Sequence, residues 1–337
     1  MGKIHAAAYM RHPDVEVVAA CDAAPGLLED FVKGRWGDVA YEESLGACEA
    51  GYEIGKAYAD YRELAADPDV DAVSICIPNA FHGPVATAMM QAGKHVLVEK
   101  PLASDTAECE ELVALAARQG VVLCTGFMWR FHPDVEWARQ VVASGLIGDI
   151  VKTKSYGVHV NWAPAGWFVN KDLAKGGALI DMGVHAIDTT RYVLGNRKAS
   201  RVWADVRTCY GDWEVDDTAL LVIEFEGGVT SLVEAGWNHP FADGGEASTQ
   251  IWGTRGYLRI FPTEARYRAE QRWGTFTPAE TEPHQSQAMY EREVHHFVDC
   301  VRHGTSPRNS GEDGLEATKI MDAAYASARE KRPIDLR

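Results

Sequence analysis

The sequence has no Cys-x-x-Cys pair, no long apolar run and too few basic residues to balance its acids. Seven cysteines, odd in number and widely spaced, build neither a disulfide framework nor a structural zinc site. They read as reduced thiols in a cytoplasmic protein. No apolar stretch reaches the roughly 18 residues of a membrane span, and Met1-Gly2-Lys3-Ile4-His5 carries no signal-peptide pattern. Lys and Arg total 33 against 49 Asp and Glu, a formal net charge of −16. That balance excludes nucleic acid and anionic membrane, both of which need a basic surface. Internal repeats and low-complexity tracts are absent as well.

What is present is a chain of 337 residues, 46% of them apolar, long enough for more than one core. Apolar runs recur at 15–22, 70–77, 95–100 and 121–124. Between them Val85, Ala88, Met89 and Ala92 fall at helical spacing before Gly93, and Asp105 with Glu108 forms a capping-box signature ahead of a helix that stops at Gly120. Continuous apolar strands alternating with helices predict a doubly wound parallel α/β sheet, whose ligands bind beyond the carboxyl ends of the strands. Asp22, Asn79 and Lys100 stand at such ends. From residue 151 the pattern changes. Runs at 151–160, 201–208, 218–225, 229–236, 249–253 and 257–261 read as strands with few helices between them, and Gly227-Gly228 is a hairpin signal. They predict an α+β domain with an open, mainly antiparallel sheet, whose uncovered apolar face points to a homodimer or homotetramer. The expected division is a first domain at 1–125, a second at 126–310, and a C-terminal helix and tail at 311–337 returning toward the first domain. Residues 34–56 read as a surface insertion.

The densest stretch runs from Gly176 to Asp188. Asp181, His185 and Asp188 are spaced i, i+4, i+7, one stripe if the segment is helical, while Ile180, Val184 and Ile187 make the rest apolar and predict burial. A buried Asp and His must find partners. Two readings follow: a histidine hydrogen-bonded inside a core, or a general base facing a cleft with an acid beside it. Glu99-Lys100-Pro101 places a lysine at the end of a buried strand, held extended by the proline after it, where desolvation is expected to lower its pKa. His159, Trp162 and Trp167 crowd around Pro164. Such rings fit stacking against a sugar or cyclitol, or ordinary packing.

Gly93-Lys94-His95-Val96-Leu97-Val98-Glu99-Lys100-Pro101 and Gly176–Asp188 together resemble the glucose–fructose oxidoreductase / inositol dehydrogenase / MocA (Gfo/Idh/MocA) family. Pro78-Asn79-Ala80-Phe81-His82 and Tyr58-Ala59-Asp60-Tyr61-Arg62-Glu63-Leu64 support the likeness, which spans almost the whole chain. The resemblance implies a Rossmann domain that binds NAD or NADP, a substrate domain with an open sheet, and Lys100, Asp181 and His185 as the catalytic trio. It also implies that Asp22 contacts the adenosine ribose, that Asn79, His82 and Glu99 lie near the nicotinamide half, and that Arg130 is a cleft residue. An acid at Asp22 favours NAD, because it repels a 2′-phosphate. Family members carry a first strand and a full glycine turn, whereas here a helix starts at Gly2, twenty residues before Asp22. Gly2 is therefore expected to be the last glycine of a G-x-G-x-x-G turn whose earlier part lies upstream of Met1. The implied activity is hydride transfer between a secondary alcohol of a sugar, cyclitol or sugar derivative and nicotinamide, with no metal. The alternatives are NAD-dependent glycoside cleavage or elimination through transient oxidation, and a non-catalytic sensor of sugar or dinucleotide.

Overall fold

Short apolar strands, each leading into a helix, build the first part of the molecule. A computed structural model describes residues 1–34, 54–270 and 272–336, so the surface insertion expected at 34–56 lies almost wholly outside the described residues. Strand β1 (Ala19–Cys21) pairs in parallel with β2 (Lys56–Tyr58), and β3 (Ala72–Ile75), β4 (His95–Glu99) and β5 (Leu123–Gly126) form a parallel sheet in that order. The doubly wound sheet thus stands in two pieces that are not hydrogen-bonded to each other. The run expected at 15–22 contracts to the three residues of β1. Central β4 is covered on both faces, with Val96, Leu97 and Val98 at 0% exposure, and for that reason its sequence is continuously apolar.

Local signals set the helices. Asp105 accepts a hydrogen bond from the Glu108 N–H at 2.9 Å, while the Glu108 carboxylate accepts from the Ser104 N–H at 2.8 Å, not from Asp105 itself. Such a cap contributes about 1 kcal/mol. The helix Thr106–Gln119 ends at Gly120, whose φ of 67° is the left-handed conformation that favours glycine.

Strands β6 (Ile150–Val160), β7 (Ala199–Arg207), β8 (Thr218–Phe225), β9 (Val229–His239), β10 (Thr249–Gly253), β11 (Gly256–Ile260), β12 (Glu264–Ala269), β13 (Arg272–Phe276) and β14 (Ile334–Asp335) form one sheet. Its order is β13-β12-β11-β10-β6-β9-β8-β7-β14, antiparallel except for the central β6–β9 pair. Strands β12 and β13 are absent from the sequence reading. Their exposed, charged residues (Glu-Ala-Arg-Tyr-Arg-Ala in β12) show no apolar alternation. One face of the sheet carries Leu221, Ile223, Val233 and Ala235, packed with Val184, Ile187, Ile320 and Ala324 from the helices Val184–Val193 and Gly311–Glu330. The opposite face exposes Val151, Trp203, Leu220 and Leu232.

The helix Gly311–Glu330 ties both parts together. Its Asp322 accepts from the Thr106 N–H at 2.8 Å, and its Ser327 Oγ accepts from the Ala204 N–H in β7 at 2.9 Å. The helix Gln287–His303 packs on Gly2–Met10, with Gln287 donating to the Ile4 carbonyl at 3.1 Å. Beneath that contact lies Glu293, fully buried. One of its oxygens accepts from Asn309 at 3.0 Å and the other has no partner among the described residues. Burial, with Glu99 adding repulsion and His5 opposing, pushes its carboxyl up to about 8. A raised acid keeps its proton in the folded state after the unfolded chain has released it, so this group lowers stability progressively from about pH 4.5 to 8. Urea denaturation should find Glu293→Gln more stable than wild type by about 2–4 kcal/mol at pH 8, with the difference vanishing near pH 4.5.

Candidate active site

Strand β4 delivers Glu99 and Lys100 to its carboxyl end. Glu99 Oε1 meets His5 Nε2 at 3.0 Å, and Oε2 accepts from the Lys100 N–H at 3.2 Å. Burial opposes ionisation of Glu99, yet His5 and Lys100 hold its carboxyl down at about 2. His82 spans the Ile77 carbonyl at 2.9 Å and the Pro101 carbonyl at 2.7 Å, and so braces the loop after Lys100 against the end of β3. Asn79 donates to the Ala174 carbonyl at 2.8 Å, which ties the first sheet to the segment entering Gly176.

That segment is not one regular helix. Leu179–Gly183 is a π-helical turn running into the α-helix Val184–Val193, a departure common at functional sites. Two glycines allow it. A Cβ on Gly177 would collide with the Asp216 carbonyl, and one on Gly157 of β6 with the Met182 carbonyl. Asp216 then fastens the turn, accepting from the Gly177 and Leu179 N–H groups at 2.8 Å each and from the Tyr325 hydroxyl at 2.7 Å.

The expected stripe of Asp181, His185 and Asp188 splits as a result. Asp181 Oδ1 accepts from Lys100 Nζ at 2.6 Å, its carbonyl accepts from the same ammonium at 2.8 Å, and Oδ2 accepts from Trp237 Nε1 at 3.0 Å. His185, 3% exposed, lies with Nε2 at 3.5 Å from Glu246 Oε1. Asp188 turns into the interior and binds Arg130 at 2.6 and 2.9 Å.

Charge follows burial and partners. The expectation of a depressed lysine is overturned: burial does pull the Lys100 amine down, but the charge and hydrogen bond of Asp181, with Glu99 and Glu246 behind them, carry it above the ordinary value. Lys100 is a cation that donates to Asp181. Burial brings His185 down to about 4 against the pull of Glu246, with Lys100 adding to the depression, so the imidazole is neutral at physiological pH. Its Nδ1 is buried without a hydrogen-bond partner among the described residues.

Glu246 and Trp237 escaped the sequence reading. Glu246 sits in an irregular loop after β9 that shows no periodicity, and Trp237 falls just past the apolar run expected at 229–236, which β9 extends to His239. Glu246 accepts from Trp129 Nε1 at 2.9 Å and from Gln285 at 3.0 Å, and its Oε2 lies 3.7 Å from His159 Nε2. Burial disfavours its charge, but His185, His159 and Trp129 hold it at about 2. His159 joins the His185 cluster in this way, and the half-exposed Trp162 packs edge-on against it at 4.6 Å. Trp167 stacks on Phe168 at 3.9 Å. Arg130, expected in the cleft, is 0% exposed; Asp188, Asp313 and the Arg308 carbonyl occupy its guanidinium in the interior. Its neighbour Trp129 reaches Glu246 instead.

A dinucleotide fits this arrangement. Asp22, exposed after β1, uses one carboxylate oxygen on the Ala24 N–H at 2.7 Å, which leaves acceptor capacity for ribose hydroxyls. Gly2 begins a helix without a side-chain cap beside Cys76, at the carboxyl end of β3, where backbone N–H groups favour phosphate. His5, Cys76 and Glu99 bring ligand-type atoms within 4.8 Å of one another, but both His5 ring nitrogens are engaged, by Glu99 and by Ser74 at 3.1 Å.

A parallel sheet with a helix amino end at its carboxyl edge thus faces a π turn and helix, packed on the second sheet, that carry an acid and an imidazole, the layout of a nucleotide-linked oxidoreductase. Residues 1–127 match the family described as "Oxidoreductase family, NAD-binding Rossmann fold", and residues 135–259 match the GFO/IDH/MocA C-terminal domain. The chain belongs to the Gfo/Idh/MocA family and is an NAD(P)-dependent oxidoreductase. It is 31% identical to D-xylose 1-dehydrogenase (NADP(+)) 2 of Haloferax volcanii over 306 residues, 88% of this chain and 91% of that protein. Identity with myo-inositol 2-dehydrogenase of Thermotoga maritima is 29%, over 92% of each. The solved structure of levoglucosan dehydrogenase in complex with NADH superposes with a TM-score of 0.85 at 25% identity, covering 100% of this chain and 96% of that one.

Replacing Arg130 by methionine removes the cation hydrogen-bonded to Asp188 and leaves Asp313 only the Arg191 guanidinium at 3.6 Å. Chemical denaturation of Arg130→Met should show a loss of about 3–5 kcal/mol. A change within about 0.5 kcal/mol would mean the network is not structural.

Proposed function

We propose that this enzyme interconverts a secondary alcohol of a sugar or cyclitol and the corresponding ketone, with Lys100, Asp181 and His185 as its catalytic residues and NAD as the preferred cofactor. The observation that carries the proposal is the donor count at Lys100. An ammonium has three N–H donors. Asp181 takes two of them, and no partner for the third is present among the described residues. That donor is available to the alcohol oxygen, where it stabilises the negative charge that develops as the O–H bond breaks. His185, neutral and buried, receives the hydroxyl proton, because loss of hydride alone would leave a protonated carbonyl. Asp181 orients the ammonium, and Trp237 fixes Asp181.

Bound NAD supplies the hydride acceptor. Asp22 would hold its adenosine ribose, and the amino end of the helix Gly2–Met10 its pyrophosphate, with Asn79, His82 and Glu99 shaping the wall near Lys100. The substrate class is supported by the relatives named above and by His159, Trp162 and Trp167, rings that stack on C–H faces while neighbouring polar groups bind hydroxyls. The exposed apolar face of Val151, Trp203, Leu220 and Leu232 supports association into a homodimer or homotetramer. No helix among the described residues is long and apolar enough to cross a membrane. Six cysteines free of disulfides among those residues support a cytoplasmic location.

A panel of D-xylose, D-glucose, levoglucosan and myo-inositol with NAD, followed by NADH absorbance, tests the activity. Lys100→Met should cut kcat by about 10³-fold with the dissociation constant for NAD unchanged within about threefold. Turnover retained in that variant removes Lys100 from the mechanism, and product formed without net NADH would point to elimination through transient oxidation.

A further inference from the structure

Glu246 is a buried carboxylate whose acceptor capacity is only half used. Oε1 accepts from Trp129 Nε1 at 2.9 Å, and Oε2 accepts from Gln285 Nε2 at 3.0 Å. Its backbone is pinned as well, the carbonyl accepting from the His284 ring at 2.7 Å. An ionised carboxylate offers about four acceptor positions, two on each oxygen. Facing the other two are His185 Nε2, 3.5 Å from Oε1, and His159 Nε2, 3.7 Å from Oε2. Neither separation is that of a hydrogen bond. In both rings the nitrogen sealed from solvent is Nδ1, so Nε2 is the accessible one. The His159 side chain is 30% exposed, and the half-exposed Trp162 stands edge-on beside it. The carboxylate is thus held firmly on one side and short of donors on the side where the imidazoles are accessible. A buried anion in that condition is costly unless a donor arrives from outside the protein.

We propose that Glu246 is a specificity-determining residue: its carboxylate accepts a hydrogen bond from the hydroxyl on the carbon next to the one oxidised, so the enzyme selects vicinal diols. The inference rests on the reading of this site as one that oxidises a secondary alcohol beside Lys100 and His185. Oε1 lies 3.5 Å from the accessible nitrogen of His185, so a hydroxyl bonded to Glu246 is a near neighbour of the one at the imidazole. On a sugar or cyclitol that neighbour is the group on the adjacent ring carbon. A hydroxyl carries one hydrogen to donate, and a carboxylate can only accept, which fixes the sense of the bond. The substrate hydroxyl then fills an acceptor position that the protein leaves open. A compound without it leaves the anion short of a donor in a site from which substrate has displaced water. That is the loss by which hydrogen-bonding pockets reject analogues lacking a hydroxyl. Trp162, beside His159, offers a ring to the C–H face of the same compound.

The test pairs the best substrate of the four-compound panel with its analogue lacking the hydroxyl beside the oxidised carbon, which NMR of the product identifies. Wild type should oxidise the parent with a kcat/KM about 10²-fold above that of the deoxy analogue. Glu246→Gln removes the charge and sets an amide donor against the hydroxyl. It should lose most of that factor on the parent, change the deoxy analogue by no more than about threefold, and leave the KM for NAD unchanged. Equal losses on both compounds overturn the proposal, because they mark Glu246 as structural or as part of the proton transfer. A wild-type enzyme that oxidises the deoxy analogue as well as the parent overturns it too. Should Glu246→Gln fail to fold, Glu246→Asp, which withdraws the carboxylate by one methylene, carries the same expectation. If that also fails, the wild-type comparison decides. If none of the four compounds reduces NAD, the activity reading fails instead. Calorimetric titration of the panel and its deoxy analogues into NADH-loaded enzyme then tests the subsite without turnover. A preference for a parent compound that vanishes in Glu246→Gln upholds it, and the absence of one overturns it.

Discussion

The structure depends on one contact, the ammonium of Lys100 against the carboxylate of Asp181 at 2.6 Å. The lysine ends a strand of the parallel sheet, and the aspartate sits on a π turn packed against the large sheet. Each charge is only about one-sixth exposed, so neither could stand there alone. Their pairing gives each buried charge its partner, and it carries the Lys100 amine above its ordinary value. It also joins the two domains at the place where chemistry is required.

Around that contact the polar groups fall into separate sets. Glu99 and His5 fix the end of the strand, Asp216 fixes the start of the π turn, and Glu246 gathers Trp129, Gln285 and two histidines. A distinct ion cluster of Arg130, Asp188 and Asp313 lies deeper and is closed to the opening. The electrostatic outcome is a cation and a neutral imidazole in one site. Burial alone would have discharged both. The difference arises because Lys100 has an anion at 2.6 Å, whereas Glu246 stands 3.5 Å from His185.

Much of this was readable in the chain. Alternating apolar runs and helix signals marked a doubly wound sheet, and the shift to strand after strand marked a second sheet. The Glu-Lys-Pro and Asp-x-x-x-His motifs pointed to Lys100 and Asp181, which the structure pairs at 2.6 Å. Strands β12 and β13 were not readable, because an exposed edge needs no apolar alternation. Arg130 was misplaced because a basic residue between aromatics looks the same in sequence whether it meets a ligand or a buried acid. Glu246 left no trace at all, since one glutamate in an irregular loop has no period to betray it.

The sequence by itself determined the two kinds of sheet and the strand ends at which Asp22 and Lys100 stand, because these follow from periodicity and from short motifs. Only the tertiary structure decided which carboxylate serves which base. Asp181 turned to the lysine, Asp188 to an interior arginine and Glu246 to the histidines. A π turn of five residues rotated the stripe apart, and distances between segments far apart in the chain set every one of those pairings.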